Sequence, residues 1–174
     1  MIDELLDFLG LIKKSANRGI NILNNNSVKL DDSKKQIFGT PIFCNLCGQF
    51  EHSGIMNSDR IIHLTGEGKV EETTPEDFVK RMNKFNGNPP IFVPLNTNYK
   101  ILHSKKIKNV SILQLGRKPS KYNMMFENCH KFTLGCMDSS YLHKKSFVYT
   151  FNYLNDCIKQ EFCEDIIYWL RLIY

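Results

Sequence analysis

No stretch of this 174-residue sequence approaches the eighteen or so consecutive apolar residues that a membrane-spanning helix needs. The candidate run Ile166-Ile167-Tyr168-Trp169-Leu170 is short and meets Arg171, so no span is expected. Clustered charge is missing too. The 23 Lys and Arg residues are interleaved with 18 Asp and Glu, for a formal net charge of +5. Phosphate contacts need gathered cations, so nucleic acid is not an expected partner. The small surplus is compatible with peripheral contact at an anionic membrane surface. A secretory leader is absent from the reading as well, since Met1-Ile2-Asp3-Glu4 puts acids where a signal peptide carries its positive segment. The expectation is a cytoplasmic protein with free thiols, because six cysteines suit a disulfide framework only in a small secreted chain. Cys44-x-x-Cys47 supplies two ligands where a structural zinc needs four. No metal and no other cofactor is expected, and no internal repeat is present.

What is present is enough apolar residue, 42% of the chain, to bury one core and not two. Ile2, Leu5, Leu6, Leu9 and Ile12 recur at helical spacing, so residues 1–27 read as an amphipathic helix and a linker that includes the turn-like Asn24-Asn25-Asn26-Ser27. From Gly39 the pattern becomes short apolar runs, Thr40–Cys44, Ser53–Met56, Arg60–Leu64 and Lys69–Glu72, separated by hairpin composition at Asn57-Ser58-Asp59 and Thr65-Gly66-Glu67-Gly68. Thr74-Pro75-Glu76-Asp77 starts a short helix to about Lys84, and Ile91–Leu95 reads as a strand. Ser104–Leu115 reads as a helix closed by Gly116, and a further helix begins at or just before Cys129. Phe147, Phe151, Leu154, Ile158, Phe162, Ile166 and Ile173 predict a helical tail. The expectation is an α+β fold: an antiparallel sheet of about four to six strands in a catalytic domain over 28–140, with the C-terminal helical extension, 141–174, packed on it.

Attack by sulfur on an ester or amide needs a thiol, a base, a group that orients the base, and donors for the oxyanion. Cys129 at a helix start would meet orphan N–H groups and the positive dipole end, which lower a thiol pKa. His52 lies on one predicted strand and His63 on the next, and a hairpin through Asn57–Asp59 makes them near cross-strand neighbours. His63 would then hold the working tautomer of His52. Asn128 would cap the helix, and His130, beside the nucleophile, reads as support or rim. His103 and His143 lie in polar, lysine-rich contexts and read as solvated surface; Cys136, Cys157 and Cys163 read as packing thiols.

The words Glu51-His52-Ser53-Gly54-Ile55, Arg60-Ile61-Ile62-His63-Leu64, Tyr122-Asn123 and Phe126-Glu127-Asn128-Cys129-His130-Lys131-Phe132-Thr133 resemble the lecithin retinol acyltransferase family, its bacterial branch above all. The resemblance covers roughly residues 39 to 137. It implies a circularly permuted papain-like fold with extra N- and C-terminal helices, and acyl transfer from, or hydrolysis of, a phospholipid or other acyl ester through an acyl-cysteine. Cys129 would be the nucleophile, His52 the general base and acid, and His63 the third polar member. The animal members' Asn-Cys-Glu-His word is here Asn128-Cys129-His130-Lys131. A papain-like amidase or peptidase, and a silent binding module of the same fold, are the competing expectations. The sequence does not specify an oligomeric state.

Overall fold

Alternation of apolar and polar positions on short segments bounded by turn residues builds a sheet, and helical periodicity in the second half of the chain supplies what covers it. The structure, a computed structural model, describes residues 21–29, 37–46, 50–80, 89–118, 128–143 and 149–174. Among these residues the strands are β1 (Asn21–Lys29), β2 (Phe38–Leu46), β3 (Phe50–Asn57), β4 (Arg60–Leu64), β5 (Val70–Thr73), β6 (Ile91–Leu95) and β7 (Tyr168–Ile173). The helices are α1 (Pro75–Lys80), α2 (Lys105–Leu113), α3 (Cys129–Met137), the single turn α4 (Ser140–His143) and α5 (Phe151–Phe162). None of these helices is long and apolar enough to cross a membrane.

The strands form one open sheet in the order β1-β7-β6-β2-β3-β4-β5. β2 to β5 make the predicted antiparallel meander, with Phe43 opposite Ser53, Cys44 opposite His52 and Ile55 opposite Ile62. Odd and even positions then go to opposite faces. One face carries Phe43, Ile55, Ile62, Leu64 and Phe92 against Phe132 and Leu134 of α3 and Phe151 and Leu154 of α5. The other carries Ile42, Cys44, Met56, Ile61 and Ile91 against Phe78 and Val79 of α1. Trp169 is fully buried on the first face, edge-on to Phe43 at 4.7 Å, and its Nε1–H donates to Asn155 Oδ1 at 3.0 Å.

Three expectations need correction. The sheet is mixed and has seven strands, because β1 and β7 pair in parallel at one edge. Among the described residues from 149 onward, the tail is helical only over Phe151–Phe162. Cys163 turns left-handed at φ 54, and Tyr168–Ile173 becomes a strand between β1 and β6, burying Trp169 and Leu172 on opposite faces. The apolar positions Ile166 and Ile173 fit a helix by spacing, but the residues between them include strand-favouring aromatics, and the sheet takes up apolar side chains on both of its faces. Asn24–Ser27 is not a free turn but part of β1, where the register shifts between Leu23 and Ser27. The N-terminal helix, the Tyr122–Phe126 segment and the end of the helix predicted to about Lys84 lie outside the described residues.

Candidate active site

Asn128 decides where α3 begins. Its backbone is extended, its Oδ1 accepts the Lys131 N–H at 3.0 Å, and its Nδ2 donates to the Tyr149 carbonyl at 2.9 Å. Cys129 is therefore the first helical residue, as the sequence predicts. β3 pairs with β4 over Ile55–Asn57, and the part of β3 before that ladder meets the first turns of α3 instead. There the Cys129 sulfur lies 4.0 Å from the Glu51 carbonyl oxygen. Ser53 Oγ lies 2.9 Å from His130 Nδ1 and 3.0 Å from Thr133 Oγ1, and the Thr133 hydroxyl donates to the Cys129 carbonyl at 2.9 Å.

His52 and His63 are brought into direct contact, His52 Nε2 to His63 Nδ1 at 3.0 Å. Their rings are perpendicular, and Phe78 of α1 stacks on His52 at 4.7 Å and meets His63 edge-on at 5.0 Å. Gly54 permits this closeness: a Cβ there would lie 2.9 Å from the Ile62 carbonyl oxygen and 3.1 Å from His63 Cβ. Ser53 faces α3, so the His52 ring leaves the strand on the other face, toward Phe78. The contacts that join the thiol to β3 thus come from Glu51 and Ser53, the residues on either side of His52.

Burial dominates the electrostatics. Cys129 is 2% exposed, and desolvation pushes its thiol up to about 11. The Ser53 amide and hydroxyl and the His130 and Cys129 amides pull in the opposite direction and lose. The expectation of a lowered thiol pKa at the helix tip is corrected accordingly: the donors are in place, but loss of water outweighs them. Burial also raises Glu51 to about 7 and lowers His130 to about 4, which leaves His130 neutral at physiological pH. His103 and His143 are exposed, as predicted, with His103 against the Phe38 ring at 4.3 Å. Cys44, Cys129, Cys136, Cys157 and Cys163 are free thiols, and Cys47 lies outside the described residues.

No protein-family model and no curated protein matches the chain. What the site can do is therefore a question of its own chemistry. The thiol meets three backbone amides beside β3, and His52, between the two β3 residues that contact it, is hydrogen-bonded to His63. A cavity of about 210 Å³ reaches Asn128 and Leu64, the chain neighbours of Cys129 and His63, and is lined by the apolar Val70, Phe132 and Leu142 together with Gln114, Arg117, Lys131 and His143. Ser53, Thr133 and Phe78 are the residues that reading the sequence missed. A signal existed for two of them: Ser53 is the strand neighbour that must face the helix if His52 faces away, and Thr133 is one helical turn after Cys129.

Proposed function

We propose that this chain is a thiol acyltransferase or hydrolase that forms an acyl-cysteine at Cys129, in line with its resemblance to the lecithin retinol acyltransferase family and a permuted papain-like arrangement. The observation that carries the reading is the placement of Cys129 at the start of α3, against the strand whose His52 is hydrogen-bonded to His63. The apolar part of the cavity wall, Leu64, Val70, Phe132 and Leu142, supports an acyl group as the part of the substrate held there, with Arg117 and Lys131 in the same wall suited to an anionic head group.

In this mechanism His52 Nε2–H donates to His63 Nδ1, which leaves Nδ1 of His52 as the basic nitrogen. The thiol proton passes to it around the stretch of β3 that does not pair with β4, where the sulfur lies against the backbones of Glu51 and Ser53 on either side of His52. With the thiol near 11, the proton leaves during attack rather than before it. Sulfur bonds to the ester carbonyl carbon, and the oxyanion is received by the amides of Cys129 and His130 at the helix tip. Collapse expels the alcohol, which leaves with the proton from His52. Water or an acceptor alcohol or amine then gives His52 its proton, attacks the thioester and releases the thiolate, which recovers the proton. No cofactor enters this scheme.

The test is acyl release from phospholipid vesicles over a panel of chain lengths. Turnover that depends on chain length, lost in Cys129→Ala and His52→Ala, supports the reading; turnover of peptide amides without chain-length dependence points to an amidase. The depth of the thiol favours one second reading, a binding module of the same fold with silent chemistry. It predicts no turnover by the folded wild type.

A further inference from the structure

Proton counting around Ser53 leads to a role for two residues outside the Cys129, His52 and His63 set. Ser53 Oγ has one proton and several neighbours: His130 Nδ1 at 2.9 Å, Thr133 Oγ1 at 3.0 Å and the Cys129 sulfur. Thr133 spends its own proton on the Cys129 carbonyl, so toward Ser53 it can only accept. If His130 also accepted, through a bare Nδ1, imidazole nitrogen would be the better base and would keep the Ser53 proton. If His130 carries its proton on Nδ1, it donates into Ser53 Oγ and leaves the Ser53 proton to point elsewhere.

We propose that His130 is held as the Nδ1–H tautomer, and that the Ser53 hydroxyl, aligned by it, turns from Thr133 to the Cys129 sulfur as that sulfur loses its proton. In the resting site the thiol proton points at the Glu51 carbonyl, 4.0 Å away, and Ser53 donates to Thr133. Once the proton has gone to the base, the thiolate is the strongest acceptor within reach and draws the hydroxyl. Ser53 then stabilises the reacting atom, while His130 is a positioning residue that acts through Ser53. The buried, neutral state of His130 supports a single fixed tautomer. Ser53 helps turnover only if Cys129 is the proposed nucleophile, but the proton arrangement is measurable without any substrate.

Two measurements test it on the full chain. Ring ¹⁵N NMR of histidine-labelled protein, with His130 assigned from the His130→Gln spectrum, is expected to show Nδ1 protonated; a protonated Nε2 with bare Nδ1 overturns the proposal. The rate of Cys129 alkylation by iodoacetamide at mildly alkaline pH, followed by mass spectrometry, is expected to fall about tenfold in Ser53→Ala, the size expected for a lost donor to a charged acceptor. It should be retained in Ser53→Thr, which keeps the hydroxyl, and be unchanged or faster in Thr133→Val, which removes the competing acceptor. Equal rates in Ser53→Ala and wild type, or a Thr133→Val rate as low as that of Ser53→Ala, overturn it. If Ser53→Ala fails to fold, the tautomer and the Thr133→Val rate against wild type still decide, a tenfold lower Thr133→Val rate overturning the proposal. Absence of lipid turnover alongside the expected tautomer and rates sinks the acyl reading and leaves this one standing.

Discussion

At neutral pH the Cys129 sulfur keeps its proton, so the proposed chemistry depends on a base that acts during attack rather than on a preformed ion pair. That gives His63 a definite weight. It accepts from the imidazole that becomes positive, and a hydrogen bond to a charged group contributes about 1.5–3 kcal/mol. His63→Ala is expected to lower acyl turnover roughly tenfold to a hundredfold with circular dichroism unchanged, measured on vesicles. His130 makes a separate prediction about stability. Its pKa falls from 6.5 to about 4 on folding, so the unfolded chain binds the extra proton, and stability is lost as pH drops from about 6.5 through 4. The contribution is about 3 kcal/mol. Glu51, raised from 4.5 to about 7, works in the opposite sense, costing stability as pH rises through that interval. Urea unfolding of wild type and His130→Gln across this range isolates the His130 share, and parallel curves would refute it. The pairing of His52 with His63 was legible in the sequence because a hairpin centred on Asn57–Asp59 leaves both on one face. The burial of Cys129 was not, because depth depends on what the helix packs against and not on its own residues.

Helix α3 is positioned by its cap, and that too was legible: Asn before Cys129 is a favoured capping residue with few other uses at that place. Asn128 does more than cap, since its amide nitrogen also donates to the Tyr149 carbonyl. Asn128→Ala is expected to destabilise the fold by about 2 kcal/mol, the sum of a lost cap and a lost buried hydrogen bond, as read by denaturant midpoints. It should also lower turnover, because the amides at the tip of α3 lose their alignment. Composition misled at two other elements. The Asn-rich residues of β1 have loop composition, and β7 supplies the partner that makes them a strand. In the tail, spacings of three and four residues continued past Phe162, but the left-handed Cys163 ends the helix before the last apolar group is reached.

Over the whole molecule, the site is held between two layers that the sheet separates. Phe78 and α1 back the imidazoles on one face, α3 and α5 bring the core aromatics to the other, and the start of α3 sets the thiol against the backbones of Glu51 and Ser53, where β3 does not pair with β4. β7 joins β1 to β6 in this arrangement, and Trp169 fixes β7 to α5 through Asn155 and to β2 through Phe43. Trp169→Ala is expected to cost about 3–5 kcal/mol, seen as a large drop in the unfolding midpoint by calorimetry. The sheet-plus-helix class and the meander were readable from periodicity. The parallel edge was not, since pairing between segments some 140 residues apart leaves no local mark on either.

The acyl-cysteine itself is the most direct object to look for. After brief exposure to phospholipid vesicles and acid quench, mass spectrometry of the protein is predicted to show an added acyl mass that maps to the Cys129 peptide, is removed by neutral hydroxylamine and is absent in Cys129→Ser. Vesicle turnover with no such adduct, or an adduct on another cysteine that survives Cys129→Ser, would contradict the account.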